Sequence, residues 1–308
     1  MADTAVRARP ATAPGRRAPR PLPADGASSA ARVADSPELG RFIDVAGIRT
    51  NVHVVGDPSR QPTVLLLHGS GPGVSAYSTW RLTMPALSQG FAVVAPDIVG
   101  FGFTERSPTA AYDLPNWTSH VLGVIDALDI ERADVLGHSF GGSLALSLAI
   151  RRPERVGRLG LVGSVGAPTA LTDGLDAVWG YQPSLSAMED LLPVFTYDAS
   201  LIGPDLARLR YEASIRPGAQ EAFARMFPAP RQRALDALTH PVDDIAAIAH
   251  PTLIVHGRED RVIPMSSSLT LFSLIPHGEL HVFGECGHLT HIERAEAVNA
   301  LVRDFLAR

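Results

Sequence analysis

Short apolar runs and helical periodicities alternate along most of this chain. Phe42 to Val45 and Asn51 to Val55 read as a strand pair turning near Gly47. Thr63-Val64-Leu65-Leu66-Leu67 is wholly apolar but for its first residue and ends at His68-Gly69, the pattern of a strand buried on both faces. Phe91 to Ala95, Ala133 to Leu136, Leu159 to Val162, Thr252 to Val255 and Leu280 to Phe283 are further strand candidates. Between them, Trp117 to Leu128 and Ser143 to Ile150 carry helical spacing, and Ala295 to Leu306 closes the chain as a helix. Strands alternating with helices predict a parallel sheet with crossover helices. The alternation stops over about 166–239, which lacks strand runs and carries helical segments rich in aromatics and Met, such as Trp179, Tyr181, Met188, Phe223 and Phe227. Such an insertion reads as a cap over the carboxyl edge of the sheet, where open parallel sheets bind ligands. The predicted organisation is a core of 37–165 and 240–308, a helical cap of 166–239, and a disordered tail over 1–36. The tail is dominated by Ala, Pro, Arg and Ser, and no apolar segment of an export signal follows Arg16-Arg17.

Composition narrows the chemistry. The 308 residues are 45 % apolar and 19 % charged, enough apolar material for a sizeable core. A net charge of −5 gives no nucleic-acid footprint, and no apolar run approaches the length of a spanning helix. All 27 basic residues are Arg, which excludes mechanisms that need a lysine amine, such as Schiff bases and Walker-type phosphate loops. Cys286 is the single cysteine, so there is no intrachain disulfide and no Cys-rich zinc site. A cytoplasmic location fits this usage. No metal or cofactor motif is present.

The strongest chemical signal is Gly137-His138-Ser139-Phe140-Gly141-Gly142, between a predicted strand and a predicted helix. This is the nucleophile-elbow pattern in the context it requires. The chain reverses so sharply that glycines must flank the Ser by two residues on each side. The turn lifts the Ser139 hydroxyl off the sheet and sets it at a helix N-terminus. A Ser hydroxyl is a weak nucleophile and needs a base steadied by an acid. In this pattern the partners follow in the order Ser, acid, His. Asp260 and His288 fit, each just past a strand, with Glu259 the competing acid. Among the other histidines, His291 is expected on the final helix and His256 as a strand cap. His53, His120, His240, His250, His277 and His281 have no turn context and read as surface or packing residues. His68-Gly69-Ser70-Gly71-Pro72-Gly73 resembles the loop that supplies one oxyanion N–H. The expected donors are the backbone amides of Ser70 and Phe140. Cys286 reads as structural.

Taken together, HGSGPG (68–73), PDIVGFGFTER (96–106), GHSFGG (137–142), HGREDRVIP (256–264) and HVFGECGH (281–288) resemble the α/β-hydrolase superfamily. More narrowly, the chain is similar to the meta-cleavage-product hydrolases, close to 2-hydroxymuconate-semialdehyde hydrolases, over about residues 37–308. The cap segments GLDAVWGY (174–181), LARLRYEASIRPG (206–218) and MFPAPRQR (226–233) share the likeness. The resemblance implies an α/β-hydrolase fold: a mostly parallel eight-stranded sheet with helices on both faces and an inserted cap. It implies hydrolytic C–C cleavage of a ring-fission product, with no cofactor and no metal, on a small carboxylate-bearing dienoate. The dienol is first ketonised. Water, directly or after acylation of Ser139, then takes the acyl carbon. Relatives are often dimers or larger, so a homo-oligomer is open; no nucleic acid or membrane partner is implied.

The resemblance also implies substrate-binding residues. Arg210 corresponds to the cap Arg that holds the substrate carboxylate, a role that suits the guanidinium fork. Gly71 neighbours the oxyanion loop. Thr79, His138 and Leu289 fall at dienoate-pocket positions, but there the family usually has Asn, Asn and Trp. These three departures keep a second reading open, a carboxylesterase or lactonase on the same scaffold. A third reading is a small-molecule receptor that keeps the fold without turnover.

Overall fold

A computed structural model of the protein describes residues 36–106 and 109–308. Residues 1–35, nearly all of the expected tail, lie outside the described residues. Eight strands form one sheet: β1 (Arg41–Val45), β2 (Ile48–Val55), β3 (Thr63–Leu67), β4 (Ala92–Pro96), β5 (Ala133–His138), β6 (Val156–Val162), β7 (Thr252–Gly257) and β8 (Gly278–Phe283). Their spatial order is β1-β2-β4-β3-β5-β6-β7-β8. The β1–β2 and β2–β4 pairs are antiparallel, and every later pair is parallel.

The apolar runs become strands because both faces of the sheet are covered. Leu65 and Leu67 of β3 join one core cluster with Trp117, Val121 and Leu144, while Val64 and Leu66 join another with Trp80, Val302 and Phe305. Alternate residues point to opposite faces, so a strand with two buried faces reads as continuously apolar. Two helices start about a turn earlier than expected, and the one expected from Ser143 spans Phe140–Arg151. The helix expected from Trp117 spans Leu114–Ala127, with the Asp113 side chain accepting from the Asn116 amide at 2.9 Å. Pro115 does not break it, since a first-turn proline lacks only an N–H that would have no intrahelical partner.

Between β6 and β7 the described chain forms no strand. It forms the helices Asp173–Trp179, Leu185–Leu191, Pro204–Ser214, Ala219–Met226 and Gln232–Asp236. Their apolar faces continue the larger core cluster through Trp179, Met188, Phe223 and Phe227. Trp179 stacks on Phe227 with ring centroids 4.3 Å apart. The connections from β3 lead to β4 on one side, while β5 and β6 extend to the other. The crevice at this reversal is where doubly wound sheets bind ligands.

Candidate active site

Ser139 directly follows β5 and caps the helix Phe140–Arg151, with φ 54° and ψ −118°. A non-glycine residue at positive φ costs of order 1–3 kcal/mol and persists only where its surroundings over-determine it. Here they do. The Ser139 amide donates to the Val162 carbonyl at 2.9 Å, and its own carbonyl accepts from Gly142 at 2.9 Å. A side chain on Gly137 would overlap the Gly141 carbonyl, which is why the turn needs glycine there. The elbow therefore presents Ser139 on a rigid, strained loop at the carboxyl edge.

His288 and Asp260 reach the same edge from the ends of β8 and β7. His288 Nδ1 lies 2.7 Å from Asp260 Oδ2, and both side chains are buried. The other oxygen, Asp260 Oδ1, accepts from the Val262 and Ile263 amides at 2.8 and 2.9 Å. A carboxylate fixed on both oxygens orients the imidazole and leaves Nε2 for the nucleophile. Glu259, the competing acid, is occupied elsewhere: its Oε2 accepts from the Cys286 amide at 3.0 Å and its Oε1 from Arg258. His256 is the last residue but one of β7. Its Nδ1 lies 2.7 Å from Ser268 Oγ and its Nε2 3.0 Å from the Ile263 carbonyl, bracing the Asp260 loop. A Cβ built on Gly163, after β6, would sit 3.2 Å from His288 Nδ1 and 3.3 Å from Asp260 Oδ2. Gly163 immediately follows Val162, the partner of the Ser139 amide, so the Asp260–His288 pair and the elbow both border the end of β6.

The loop after β3 is shaped by His68. The Ile98 amide donates to its Nε2 at 3.0 Å, so Nδ1 carries the proton and donates to the Gly69 carbonyl at 2.7 Å. In a trans peptide the N–H points opposite the C=O, so this bond turns the Ser70 N–H away from His68. Ser70 Oγ accepts from Trp179 Nε1 at 3.0 Å, tying the loop to the cap. Phe140 is the first helical residue after the elbow, and a first-turn N–H has no intrahelical acceptor. A Cβ built on Gly69 would lie 3.4 Å from Ser139 Cβ, so the loop passes close to the elbow.

The expected substrate-binding residues divide into groups. His138 packs against the His288 ring, with centroids 4.6 Å apart. Its Nε2 donates to the His288 carbonyl at 3.2 Å, which leaves the buried Nδ1 as an acceptor without a hydrogen-bond partner. Burial, reinforced by His291 and His288, pushes His138 well below the ordinary histidine range, so it is neutral. Gly71 and Leu289 both border the cap residue Phe195: a Cβ on Gly71 would meet its ring at 3.5 Å, and the Leu289 amide donates to its carbonyl at 3.1 Å. Thr79 is buried on the helix Ala76–Trp80. Arg210 lies apart from these, on the cap helix Pro204–Ser214. Its Nη1 donates to the Gly73 carbonyl at 2.9 Å and its Nη2 to Glu38 at 2.6 Å.

The sequence reading did not single out Glu38 or Phe195, since neither stands in a motif. His291 departs from expectation. It sits in a separate short helix, Thr290–Glu293, because the backbone breaks at Arg294 before the final helix begins at Ala295. Its ring lies between Trp80 and His138, and burial pushes it down to about 3. Cys286 is fully buried, and burial pushes its thiol up to about 12, which makes it inert as a nucleophile.

Known proteins share this fold. The α/β hydrolase fold family matches residues 62–295. A 2-hydroxymuconate semialdehyde hydrolase of Pseudomonas sp. (strain CF600) is 54 % identical over 273 residues, covering 89 % of this chain and 95 % of the relative. A 2-hydroxy-6-oxo-2,4-heptadienoate hydrolase of Pseudomonas putida (strain F1) is 54 % identical over 270 residues, covering 88 % and 97 %. Among solved structures, a serine-to-alanine mutant of the meta-cleavage product hydrolase CumD from Pseudomonas fluorescens IP01, complexed with acetates, has a TM-score of 0.86. It is 52 % identical, covering 88 % of this chain and 99 % of that one. With the fold, the elbow and near full-length likeness in agreement, the chain belongs to the α/β-hydrolase family, among its meta-cleavage-product hydrolases.

Proposed function

We propose that this protein is a serine-dependent hydrolase that cleaves a C–C bond in a meta-cleavage product such as 2-hydroxymuconate semialdehyde, in aromatic catabolism. The reading is supported by the 2.7 Å Asp260–His288 pair, whose imidazole packs on His138 next to the strained Ser139 elbow, in a chain 54 % identical to such a hydrolase over 89 % of its length. Ser139 is the nucleophile, His288 the general base and Asp260 its orienting acid. The amides of Ser70 and Phe140 form the oxyanion hole, and losing one such donor costs about 100–1000-fold in rate. Gly71, Thr79, His138, Arg210 and Leu289 line the substrate site, and 166–239 acts as its cap.

The chemistry follows from these roles. The proton of the substrate's 2-enol moves to C5, giving a 2,6-dioxo compound whose C5 can leave as a stabilised dienolate. Ser139 Oγ, or a water activated by the same imidazole, adds to the C6 carbonyl and gives its proton to His288. The C5–C6 bond breaks, its electron pair stays with C5, and the dienolate takes the proton to leave as 2-hydroxypenta-2,4-dienoate. Where Ser139 was the nucleophile, water then hydrolyses the acyl-enzyme to a small acid. No metal or organic cofactor takes part in these steps. The proposed enzyme acts in the cytoplasm, as a homo-oligomer, on a small molecule and on neither membrane nor nucleic acid. Among the described residues no helix is long and apolar enough to cross a membrane.

The test is to mix pure protein with yellow 2-hydroxymuconate semialdehyde and follow the loss of colour. Rapid bleaching is expected, and no bleaching at high enzyme concentration refutes the reading. His138, Thr79 and Leu289, which depart from the family's usual pocket, favour one rival, a carboxylesterase or lactonase. A short-chain p-nitrophenyl ester turned over far better than any dienoate would select it.

A further inference from the structure

Glu38 precedes β1 by three residues and carries a side chain only 5 % exposed. Its Oε1 accepts from Arg210 Nη2 at 2.6 Å and its Oε2 from Arg216 Nη2 at 2.9 Å. Arg210 lies on the cap helix Pro204–Ser214 and Arg216 just beyond it, so one core carboxylate holds two cap guanidiniums. The Glu38 backbone is itself tied to the sheet. Its carbonyl accepts from Asn51 Nδ2 at 3.0 Å and His53 Nε2 at 3.1 Å, and Asn51 Nδ2 also reaches Asp97 Oδ2 at 2.8 Å. Asp97 is buried at the end of β4 and takes the Ala76 and Phe103 amides at 2.6 and 2.8 Å. The Arg216 guanidinium lies over the Phe103 ring, 3.9 Å from its centroid.

Among the described residues, the guanidiniums around Glu38 outnumber its one carboxylate. Glu38 faces Arg210 and Arg216, and Arg81 is close enough that burial and then the charge of Arg210 lower its own pKa. Glu38 thus pairs with two guanidiniums and lies near a third, and buried charge is costly unless it is paired. Arg210 shows the deficit directly. Its Nη1 is fixed on the Gly73 carbonyl and its Nη2 on Glu38, while its Nε is buried without a hydrogen-bond partner. Gly73 belongs to the same loop as Ser70, so the clamp holds the guanidinium beside the oxyanion loop.

We propose that Glu38 is the positioning residue of the substrate's carboxylate site: from the core side it clamps Arg210 against the Gly73 loop and takes Arg216 as its second partner. The excess charge and the unpaired Arg210 Nε–H are then left for an incoming carboxylate. This rests on the proposed action on a carboxylate-bearing dienoate. Glu38 touches no substrate; it acts through Arg210. Its two oxygens serve two arginines, and an amide has an acceptor for only one of them.

The experiment compares Glu38→Gln and Glu38→Asp with the wild type on 2-hydroxymuconate semialdehyde and on p-nitrophenyl acetate, which has no carboxylate. In Glu38→Gln, KM for the dienoate is expected to rise about tenfold, more than kcat falls, and the preference for dienoate over ester falls with it. Glu38→Asp keeps both oxygens and the charge, and should lie between Glu38→Gln and the wild type. If Glu38→Gln does not fold, Glu38→Asp is read the same way. Equal losses on both substrates overturn the proposal, as does no change on either. A fall in dienoate KM also overturns it, by showing that Glu38 competes with the substrate for Arg210. If the wild type bleaches no dienoate, the functional reading has failed. Glu38 is then tested alone, with pentanoate and pentanamide as inhibitors of ester hydrolysis. Weakened inhibition by pentanoate only supports the clamp, and equal effects on the two overturn it.

Discussion

The elbow at Ser139 and the clamp at Glu38 hold their polar groups by different means. Ser139 is fixed by its own turn, residues 137–142, and by one backbone bond to the adjacent strand β6. Arg210 is fixed by Glu38, 172 positions away, and by the Gly73 carbonyl, 137 positions away. The first arrangement writes its constraint into neighbouring residues, because a reversal that tight tolerates only glycine at its close approach. The second leaves no local trace. Any chain that brings those three points together could carry it, and nothing beside Glu38 in the sequence marks it. The two regions also differ in what they are built to resist. The elbow stores backbone strain against a saturated hydrogen-bond frame, whereas the clamp stores unbalanced charge.

The widest separation between the regions is expected from replacing Ser139 and then Arg210. Ser139→Ala should lower kcat by about 10⁴–10⁶-fold on every substrate while leaving the thermal midpoint near that of the wild type. Retention of more than about one per cent of wild-type turnover would show that Ser139 is not the reacting group. Arg210→Ala should act selectively. A charged hydrogen bond is worth about 1.5–3 kcal/mol, so carboxylate-bearing substrates should lose about 10–100-fold in kcat/KM, mostly through KM, with a smaller loss on neutral esters. Unchanged dienoate kinetics would remove Arg210 from the substrate site.

A third expected effect is on stability against pH, and it belongs to the core side. Burial pushes His120 down to about 4 and His291 to about 3, and it lowers His138 as well. A folded-state pKa below the unfolded value of about 6.5 means that the unfolded chain binds more protons at lower pH. The stability held by each neutral ring is therefore fully present above about 6.5 and is lost as pH falls towards its folded value, at up to about 1.4 kcal/mol per pH unit per ring. The urea midpoint should drop steadily from pH 6.5 to 4.5. A flat midpoint over that range would mean that these rings are not buried neutral.

Much of the fold was legible because its cause is periodic. Thr63 to Leu67 reads as a doubly buried strand and is one, and the breakdown of alternation after β6 is where the described chain forms helices and no strand before β7. The boundaries drifted where capping outweighs hydrophobicity, as when Asp113 and Pro115 start a helix one turn ahead of Trp117. The sequence points to Asp260 as the acid beside His288 and leaves Glu259 as its competitor, since both follow the same strand. Only the coordinates put Glu259 on the Cys286 amide and Asp260 on the imidazole. His138 was noted as a departure from the family's Asn, but its packing against both His288 and His291 depends on three side chains meeting from different elements.

The sequence by itself determined the strand order in time, the glycine-framed turn and the residue types at the three strand ends, because each of these is imposed by constraints acting over a few neighbouring residues. Only the tertiary structure decided which carboxylate faces the imidazole, which tautomer His68 adopts, and that Glu38 reaches two cap arginines. Those choices depend on distances between parts of the chain that the sequence separates by tens to hundreds of residues, and such distances exist only once the sheet has closed and the cap has packed upon it.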